Sequence, residues 1–356
     1  MDKAPRILII GNMGYIGPVL AAHLRFALPG CRLAGFDAGL FAGCLMDPTY
    51  FPERILDQQI FGDVREFPAR ILSDFDAIVA LAAVSNDPMG ARFEEATAKI
   101  NCDAIVEIAR VARGAGVRSF VFASSCSVYG EGGGDAKTEH SDVNPLTAYA
   151  RSKVDAEKRL ADLADKNFLV TCLRFATACG WSPRLRLDLV LNDFVASALT
   201  SGKIQILSDG SPWRPLIHVR DMSRAIEWAL CRSRTNGGDF AVLNTGSNEW
   251  NFTIRELGMA VAKELDGIEV SINPDASPDK RSYRVDFSRF AEIAPHHQPA
   301  MTPSATVKEL LAGLRSCGFS DSGFRSSHLI RLNVLSRALE RGDLDKNLFP
   351  LQASGR

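Results

Sequence analysis

A doubly wound parallel α/β sheet, with a smaller α/β domain at its C-terminal side, is the fold class this sequence predicts. Three observations predict it. Short apolar runs at 6–10, 32–37, 58–64, 77–83, 119–125 and 167–175 alternate with stretches of helical periodicity, the rhythm of parallel strands joined by crossover helices. The first run leads directly into Gly11-Asn12-Met13-Gly14-Tyr15-Ile16-Gly17 and a helix at 18–28. The run at 119–125 ends in Ser124 and Ser125. A glycine-rich loop follows it, then Pro145 and a helix carrying Tyr149 and Lys153.

Each element has its own reason. Strand, glycine loop and helix in immediate succession is the context a dinucleotide site requires. The glycines allow a tight turn and close approach of the backbone to a diphosphate, and the helix start supplies free amides and a dipole. The spacing here is Gly-x-x-Gly-x-x-Gly. Strand 32–37 ends in Asp37, which lies 20 residues after Gly17, where an acid accepts both ribose hydroxyls and repels a 2′-phosphate. NAD is therefore the expected cofactor. The third strand ends in Asp63 and Val64, where such folds contact adenine. The long loop at 39–57 receives no role. Strand 77–83 is apolar throughout, which fits burial on both faces. Ser85 and Asn86 follow it at another strand end, near the expected nicotinamide and sugar. A helix over 98–113 comes next, with Asn101 at its opening, facing the cofactor or capping the helix.

Tyr149 and Lys153 are four residues apart, so on a helix they share a face. A lysine cation nearby favours tyrosinate and lowers the phenol's pKa from about 10. Tyr149 is then expected to exchange a proton with a substrate hydroxyl, with Ser125 hydrogen-bonding the same oxygen. An oxygen that loses a proton while its carbon loses hydride defines alcohol–ketone redox chemistry.

After Gly180 the alternation breaks. A helix is expected at 187–199, a strand at 203–207, a loop from 208, and a helix at 220–232 just after His218. Residues 239–246 read as a strand returning to the sheet, 253–265 as a helix and 267–272 as a strand, with mostly helix to 341. The predicted division is 1–180 with 212–247 as the cofactor domain, and 181–211 with 248–356 as the substrate domain. Arg184, Arg186, Arg214, Arg281 and Arg284 fall in loop-like contexts. Guanidinium forks match phosphate oxygens, and Arg214 and Arg281 are the preferred candidates for a substrate diphosphate.

Composition bounds the rest. The chain has 356 residues, 46% hydrophobic and 23% charged, an ordinary globular profile. With 41 basic and 42 acidic residues the net charge is −1, so bulk charge points to neither nucleic acid nor a membrane surface. The eight cysteines form no Cys-x-x-Cys pair and the histidines no cluster, so neither a disulfide framework nor a metal site is expected. The N-terminal apolar run is only Ile7 to Ile10, and a cytoplasmic location is expected.

These residues together are familiar. The three glycines, Asp37, Asp63-Val64, Leu81-Ala82-Ala83, Asn101, Ser124-Ser125-Cys126-Ser127-Val128-Tyr129-Gly130, Tyr149-x-x-x-Lys153 and His218-Val219-Arg220-Asp221 resemble the extended short-chain dehydrogenase/reductases. The branch most similar is the NAD-dependent nucleotide-sugar epimerase/dehydratase family, over about residues 6–290. The resemblance implies a Rossmann fold with NAD lying on the glycine loop, Asp37, Asp63, Val64, Leu81, Ala82, Ala83, Asn101, Tyr149 and Lys153. It implies a nucleotide-diphosphate sugar as substrate, oxidised through Ser125, Tyr149 and Lys153. It also implies a homodimer formed through the helices at 98–113 and 149–164.

Subclass turns on departures from the family pattern. Sugar 4,6-dehydratases follow the serine slot with Asp and Glu, where this chain has Cys126 and Ser127, so dehydration by that route is not expected. The 3,5-epimerase/reductases place a cysteine two before the tyrosine equivalent to Tyr129, and that slot is Ser127. Cys126, on the opposite face of the strand, is expected to pack. Many relatives carry a substrate-binding Asn three residues after Arg174, where this chain has Thr177. Expected substrate contacts are Ser85, Asn86, Ser125, Thr177, Arg214 and Arg281. The reading is a nucleotide-sugar epimerase acting through a transient 4-keto sugar. Its alternatives are a 4-ketoreductase and, further off, a 4,6-dehydratase or a silent NAD-binding regulator.

Overall fold

The computed structural model describes residues 4–273, 275–276 and 281–351. Lys280, which opens the run containing Arg281 and Arg284, and residues 352–356 of the expected substrate domain lie outside them.

Apolar residues in alternation place both faces of a central sheet in the core. Along β1 (Arg6–Ile10), Ile7 and Ile9 join one hydrophobic cluster, while Leu8 and Ile10 join another on the opposite face. Burying one such side chain contributes about 1.5–3 kcal/mol, so each face stabilises substantially. After α1 (Gly17–Ala27) come β2 (Arg32–Asp37), β3 (Gln58–Phe61) and β4 (Ala77–Ala80). The short helices α2 (Asp87–Arg92) and α3 (Glu94–Ala98) lead to α4 (Ile105–Gly114). Then β5 (Ser119–Ser125), α5 (Ala148–Ala161) and β6 (Leu169–Phe175) complete the first half.

The second half holds β7 (Thr177–Cys179), α6 (Val190–Ser201), β8 (Lys203–Ile206), β9 (Trp213–His218), α7 (Val219–Cys231) and β10 (Phe240–Thr245). It continues with β11 (Asn251–Thr253), α8 (Ile254–Ala262), β12 (Glu269–Ile272), α9 (Ser288–Ile293), α10 (Pro303–Ser316) and α11 (Arg331–Glu340).

Seven strands form one parallel sheet in the order β10-β6-β5-β4-β1-β2-β3. The chain winds outward from β1 in one direction to β3, then restarts at β4 in the other. This reversal between β1 and β4 opens a crevice at the carboxyl ends of the strands, where doubly wound sheets take ligands. The first face is covered by α1 and α7, through Leu20, Leu24, Ile226 and Trp228. The second is covered by α4 and α5, through Ile105, Ile108, Ala156 and Leu160. As expected, β10 returns to the sheet beside β6.

Several expectations need correction. Residues 58–64 are not strand throughout: β3 ends at Phe61, and Asp63 caps a short 3-10 turn over Val64–Glu66. The helix expected at 98–113 begins earlier, at Glu94, and is interrupted by a π-helical turn at Lys99–Ala104. The segment from 208 contains β9, which pairs with β7 on one side and β11 on the other. The return to the large sheet thus starts with α7 rather than at 212. The expected assignment of everything after 248 to the smaller unit also fails. Phe287, Phe290 and Ala294 join the core under β10, because they are apolar and α9 lies against that strand. Leu335, Leu344 and Leu348 pack on Val84, Met89 and Phe93, beside the end of β4.

Candidate active site

The crevice is a single cleft of about 830 Å³ running from the glycine loop to β9 and Arg281. Gly11, at the end of β1, has φ +85, and a Cβ there would lie 2.4 Å from the Ala82 backbone nitrogen. Only glycine permits that turn and that closeness of two strand ends. Gly14, Tyr15 and Ile16 line the floor, followed by α1 with Pro18 in its first turn. Gly17 does not reach the cleft. Its Cβ would fall 2.0 Å from the Asn12 carbonyl oxygen, so it serves helix packing. Asn12 and Met13 are buried behind the floor; the Asn12 amide bonds Gln59, and the Met13 amide nitrogen donates to Asp37.

Asp37 faces the cleft and accepts from the Met13 and Gly39 amides. Burial, the largest influence, raises its pKa above the ordinary value against these bonds. Asp63, Val64, Leu81, Ala82 and Ala83 also line the wall. This narrow glycine floor, a helix start with free amides and a carboxylate at the end of β2 fit a dinucleotide. Asn101 is a correction. It sits in the π-helical turn rather than at a helix start, fully buried behind the wall. Its amide bonds the Val84 amide, the Val84 carbonyl and the Ser152 hydroxyl. It clamps the loop after β4 to α5 and carries no group into the cleft.

The structure brings Ser125, Tyr149 and Lys153 together. Ser125 ends β5, accepts from the Ser127 amide and hydrogen-bonds the Tyr149 phenol. Thr147 caps α5 by accepting from Ala150 N, which puts Tyr149 in the first turn. Gly90 of α2 lets the tyrosine backbone approach closely, since a Cβ there would stand 3.1 Å from Tyr149 N. Lys153 Nζ donates to the Ala123 carbonyl at 2.7 Å and lies 5.6 Å from the Tyr149 ring centre. One turn on, Glu157 accepts from Ser124 and from a bidentate Arg174, which locks α5 onto β5 and β6. Sequence spacing did not single out Glu157.

The electrostatics differ from the expectation. Burial is the largest influence on Tyr149 and pushes its pKa up to about 12, with the Ser125 hydrogen bond opposing. Burial lowers Lys153 to about 8. The predicted depression of the phenol by Lys153 is not what opposes burial: the lowering influences are the Ser125 hydrogen bond and the Arg186 charge, and burial outweighs them.

Beyond the triad, Ser85, Asn86, Thr177, Arg214 and Arg281 all line the cleft. Ser85 accepts from Arg186, and Asn86 donates to Asp188 while capping α2. Arg281 pairs with Asp87 at 2.7 Å, and Asp87 in turn accepts from the Thr147 hydroxyl. Arg186, which is not among the preferred phosphate candidates, faces the cleft in a bidentate pair with Asp188. Arg184 is a correction: it is buried against Glu53, a carboxylate from the loop given no role, and is structural. Arg284 lies over the Trp213 ring, outside the cleft lining. Cys126 packs as expected, its thiol donating to the Arg174 carbonyl and its pKa raised by burial. Ser127 has a feature that its place in the motif does not reveal. Its hydroxyl is buried, faces the cleft, and has no hydrogen-bond partner among the described residues. No cluster of three or more metal-ligating side chains occurs among the described residues. No helix there is long and apolar enough to cross a membrane.

Comparison with known proteins places this geometry. The Uncharacterized UDP-glucose epimerase YtcB of Bacillus subtilis is 30% identical over 240 residues, 63% of this chain and 72% of that one. A UDP-glucose 4-epimerase of Mycolicibacterium smegmatis is 28% identical over 301 residues, 81% of this chain and 92% of that one. The fold matches that of TunA, an NAD dependent NDP-hexosamine 5,6-dehydratase involved in tunicamycin biosynthesis, with a TM-score of 0.75. The identity is 22%, over 89% of this chain and 100% of that one. The model of the NAD dependent epimerase/dehydratase family matches residues 7–244, so the chain belongs to that family and is an NAD-dependent enzyme of the extended short-chain dehydrogenase/reductase type.

Proposed function

We propose that this enzyme is a nucleotide-sugar 4-epimerase that oxidises the sugar to a transient 4-keto form and reduces it again on the other face. The observation that carries the reading is the pair of residues after Ser125. Elimination of water needs a second acid–base pair beside the reacting hydroxyl. Here those positions hold Cys126, packed on the Arg174 carbonyl, and Ser127, a hydroxyl with no ionisable partner. What is left supports proton and hydride exchange at one carbon. Relatives named UDP-glucose 4-epimerase over most of their length support the same reading.

Bound NAD supplies the hydride acceptor and donor. Tyr149 exchanges the proton of the sugar hydroxyl, and Ser125 hydrogen-bonds the same oxygen. Lys153, held on the Ala123 carbonyl, orients the phenol and supplies positive charge while it is protonated. With the phenol's pKa raised to about 12 by burial, the neutral phenol dominates near pH 7. Proton return to the keto-sugar is then the readier half of the cycle. The nucleotide diphosphate is assigned to the β9 side, where Arg214 and Arg281 line the cleft. Thr177, Ser85, Asn86 and the Ser127 hydroxyl are assigned to the sugar. Two copies are proposed to pair through α4 and α5, in a cytoplasmic homodimer.

The deciding experiment incubates the purified enzyme with UDP-glucose and follows the products by proton NMR and the cofactor at 340 nm. Epimerisation predicts UDP-galactose with no net NADH change. Stoichiometric NADH oxidation by a 4-keto sugar, or appearance of a dehydrated sugar, overturns it.

A further inference from the structure

The family match stops at 244, yet the cleft is walled in part by residues far beyond it: Arg331, Leu335 and Leu348. Arg331, the first residue of α11, is 1% exposed. Its guanidinium donates to the Arg184 carbonyl at 2.7 Å and the His328 carbonyl at 3.2 Å, and lies 5.4 Å from the centre of the Phe41 ring. An arginine carries five N–H donors, so those two bonds leave capacity on the cleft side. Other arginines around the cleft have carboxylate partners: Arg184 with Glu53, Arg186 with Asp188, Arg65 with Asp63. Arg331 has no ion-pair partner among the described residues. Burial lowers its pKa to about 10, which still leaves it charged at neutral pH. Asp188 acts favourably on it from beyond ion-pair distance, but Arg186 and Arg184 repel it, and a buried cation without a paired counter-charge costs several kcal/mol unless an anion completes it.

The segment after α11 is tied down at the adenine end of the same cleft. Arg65 holds Asp63 through two bonds and reaches past it to the Asn347 and Leu348 carbonyls at 2.6 and 3.1 Å. Its guanidinium stacks 3.4 Å over the Phe349 ring. The Asp345 carboxylate accepts from the Asn347 and Phe349 amides, closing a tight turn. That turn holds Leu348 at φ +61, the only non-glycine residue with positive φ among those described. Such a conformation costs a leucine about 1–2 kcal/mol. It buries the side chain to 1% exposure against the cleft wall, where Asp63 and Val64 also stand.

We propose that residues 331–349 form a wall of the dinucleotide site, in which Arg331 meets a phosphate of the bound NAD and Leu348, latched by Arg65 and Phe349, covers its adenosine end. This holds whichever sugar reaction the enzyme performs. The test is titration calorimetry of cofactor-stripped protein with NAD and, separately, with UDP, with folding checked by thermal melting. Arg331→Ala is expected to raise the NAD dissociation constant about tenfold or more, the loss of a charge-assisted bond. It should leave UDP affinity within about twofold. Arg331→Lys recovers part of the loss. Phe349→Ala, at a half-buried position, is expected to speed NAD dissociation severalfold without a large change in melting. If Arg331→Ala does not fold, Phe349→Ala decides. NAD affinity and dissociation rate unchanged in the folded variants would refute the proposal. A fall in UDP affinity with NAD binding intact also overturns it, by moving Arg331 to the sugar-nucleotide side.

Discussion

The two sides of the cleft are built in opposite ways. On the cofactor side, contact groups come from continuous stretches: β1 with its glycine loop and α1, then β5 with α5. Much of the work there falls to backbone, through a positive-φ glycine, free helix amides and strand ends. On the sugar side, the lining consists of single side chains from distant segments, held by pairs such as Arg186–Ser85 and Arg281–Asp87. The difference teaches that a ligand common to a whole family can be met by local backbone geometry. A variable ligand is met by long-range side-chain pairs that can change without disturbing the sheet.

That comparison can be broken or sharpened by experiment. The largest effect is expected on the cofactor side at the phenol: Tyr149→Phe lowers kcat by about 10³, within the usual range for removing a proton-transfer group, while the NAD dissociation constant stays within twofold. Stopped assays and calorimetry on one preparation check both halves, and turnover near the wild-type rate removes Tyr149 from its role. On the sugar side, Arg186→Ala leaves Asp188 buried without its partner. Chemical denaturation is expected to show about 3–5 kcal/mol of lost stability. A loss under 1 kcal/mol would mean that the pair does not organise that wall.

A third test reads pH. Lys153 has its pKa lowered by burial from 10.5 to about 8. Below pH 8 both folded and unfolded chains carry the proton, and the burial penalty is fully present. Between 8 and 10.5 the unfolded chain holds a proton that the folded chain has released, so this group makes stability rise with pH. Lys153→Met removes that contribution. The wild type should therefore gain about 3 kcal/mol on the variant across this window, with no gain below pH 7. Parallel stability curves would show that the lysine is not desolvated. The smallest effect is expected at Cys126→Ala, with kcat within twofold and about 1 kcal/mol of stability lost with the thiol's packing. A large fall in kcat there would make the thiol part of the chemistry and reopen the alternatives to epimerisation.

The same contrast explains what was legible in the sequence. Strands β1, β2, β4, β5, β6 and β10 and the Ser125–Tyr149–Lys153 grouping could be read because each depends on neighbours within a few residues. Asn101 was misplaced because nothing local distinguishes a π-helical turn from a helix start. Strand β9 was missed because Pro215 stands within it; the pairing with β7 begins only at Leu216, so Pro215 adjoins β11 alone and sits at an edge-like position. Arg184 looked like a phosphate ligand because its partner, Glu53, lies 131 residues away in a loop that seemed featureless. The depression expected for the Tyr149 phenol failed for a related reason. Lys153 is visible at four residues' spacing, but the burial that dominates the phenol is assembled from α2, β5 and Tyr283, and the charge that opposes it comes from Arg186.

One consequence lies in how the chain leaves and rejoins the large sheet. It departs at the end of β6 and comes back as β10, paired in register with that same strand from Val170 opposite Phe240 to Phe175 opposite Thr245. Within that excursion, the part carrying α6 and β8 starts after Cys179 and finishes at His218, register partners in β7 and β9 and so adjacent points, as in a splice, before α7 leads back to β10. A different specificity module could be grafted across that junction while the redox half keeps its hydrogen-bond ladder intact, a route by which one nucleotide-handling scaffold acquires new sugars.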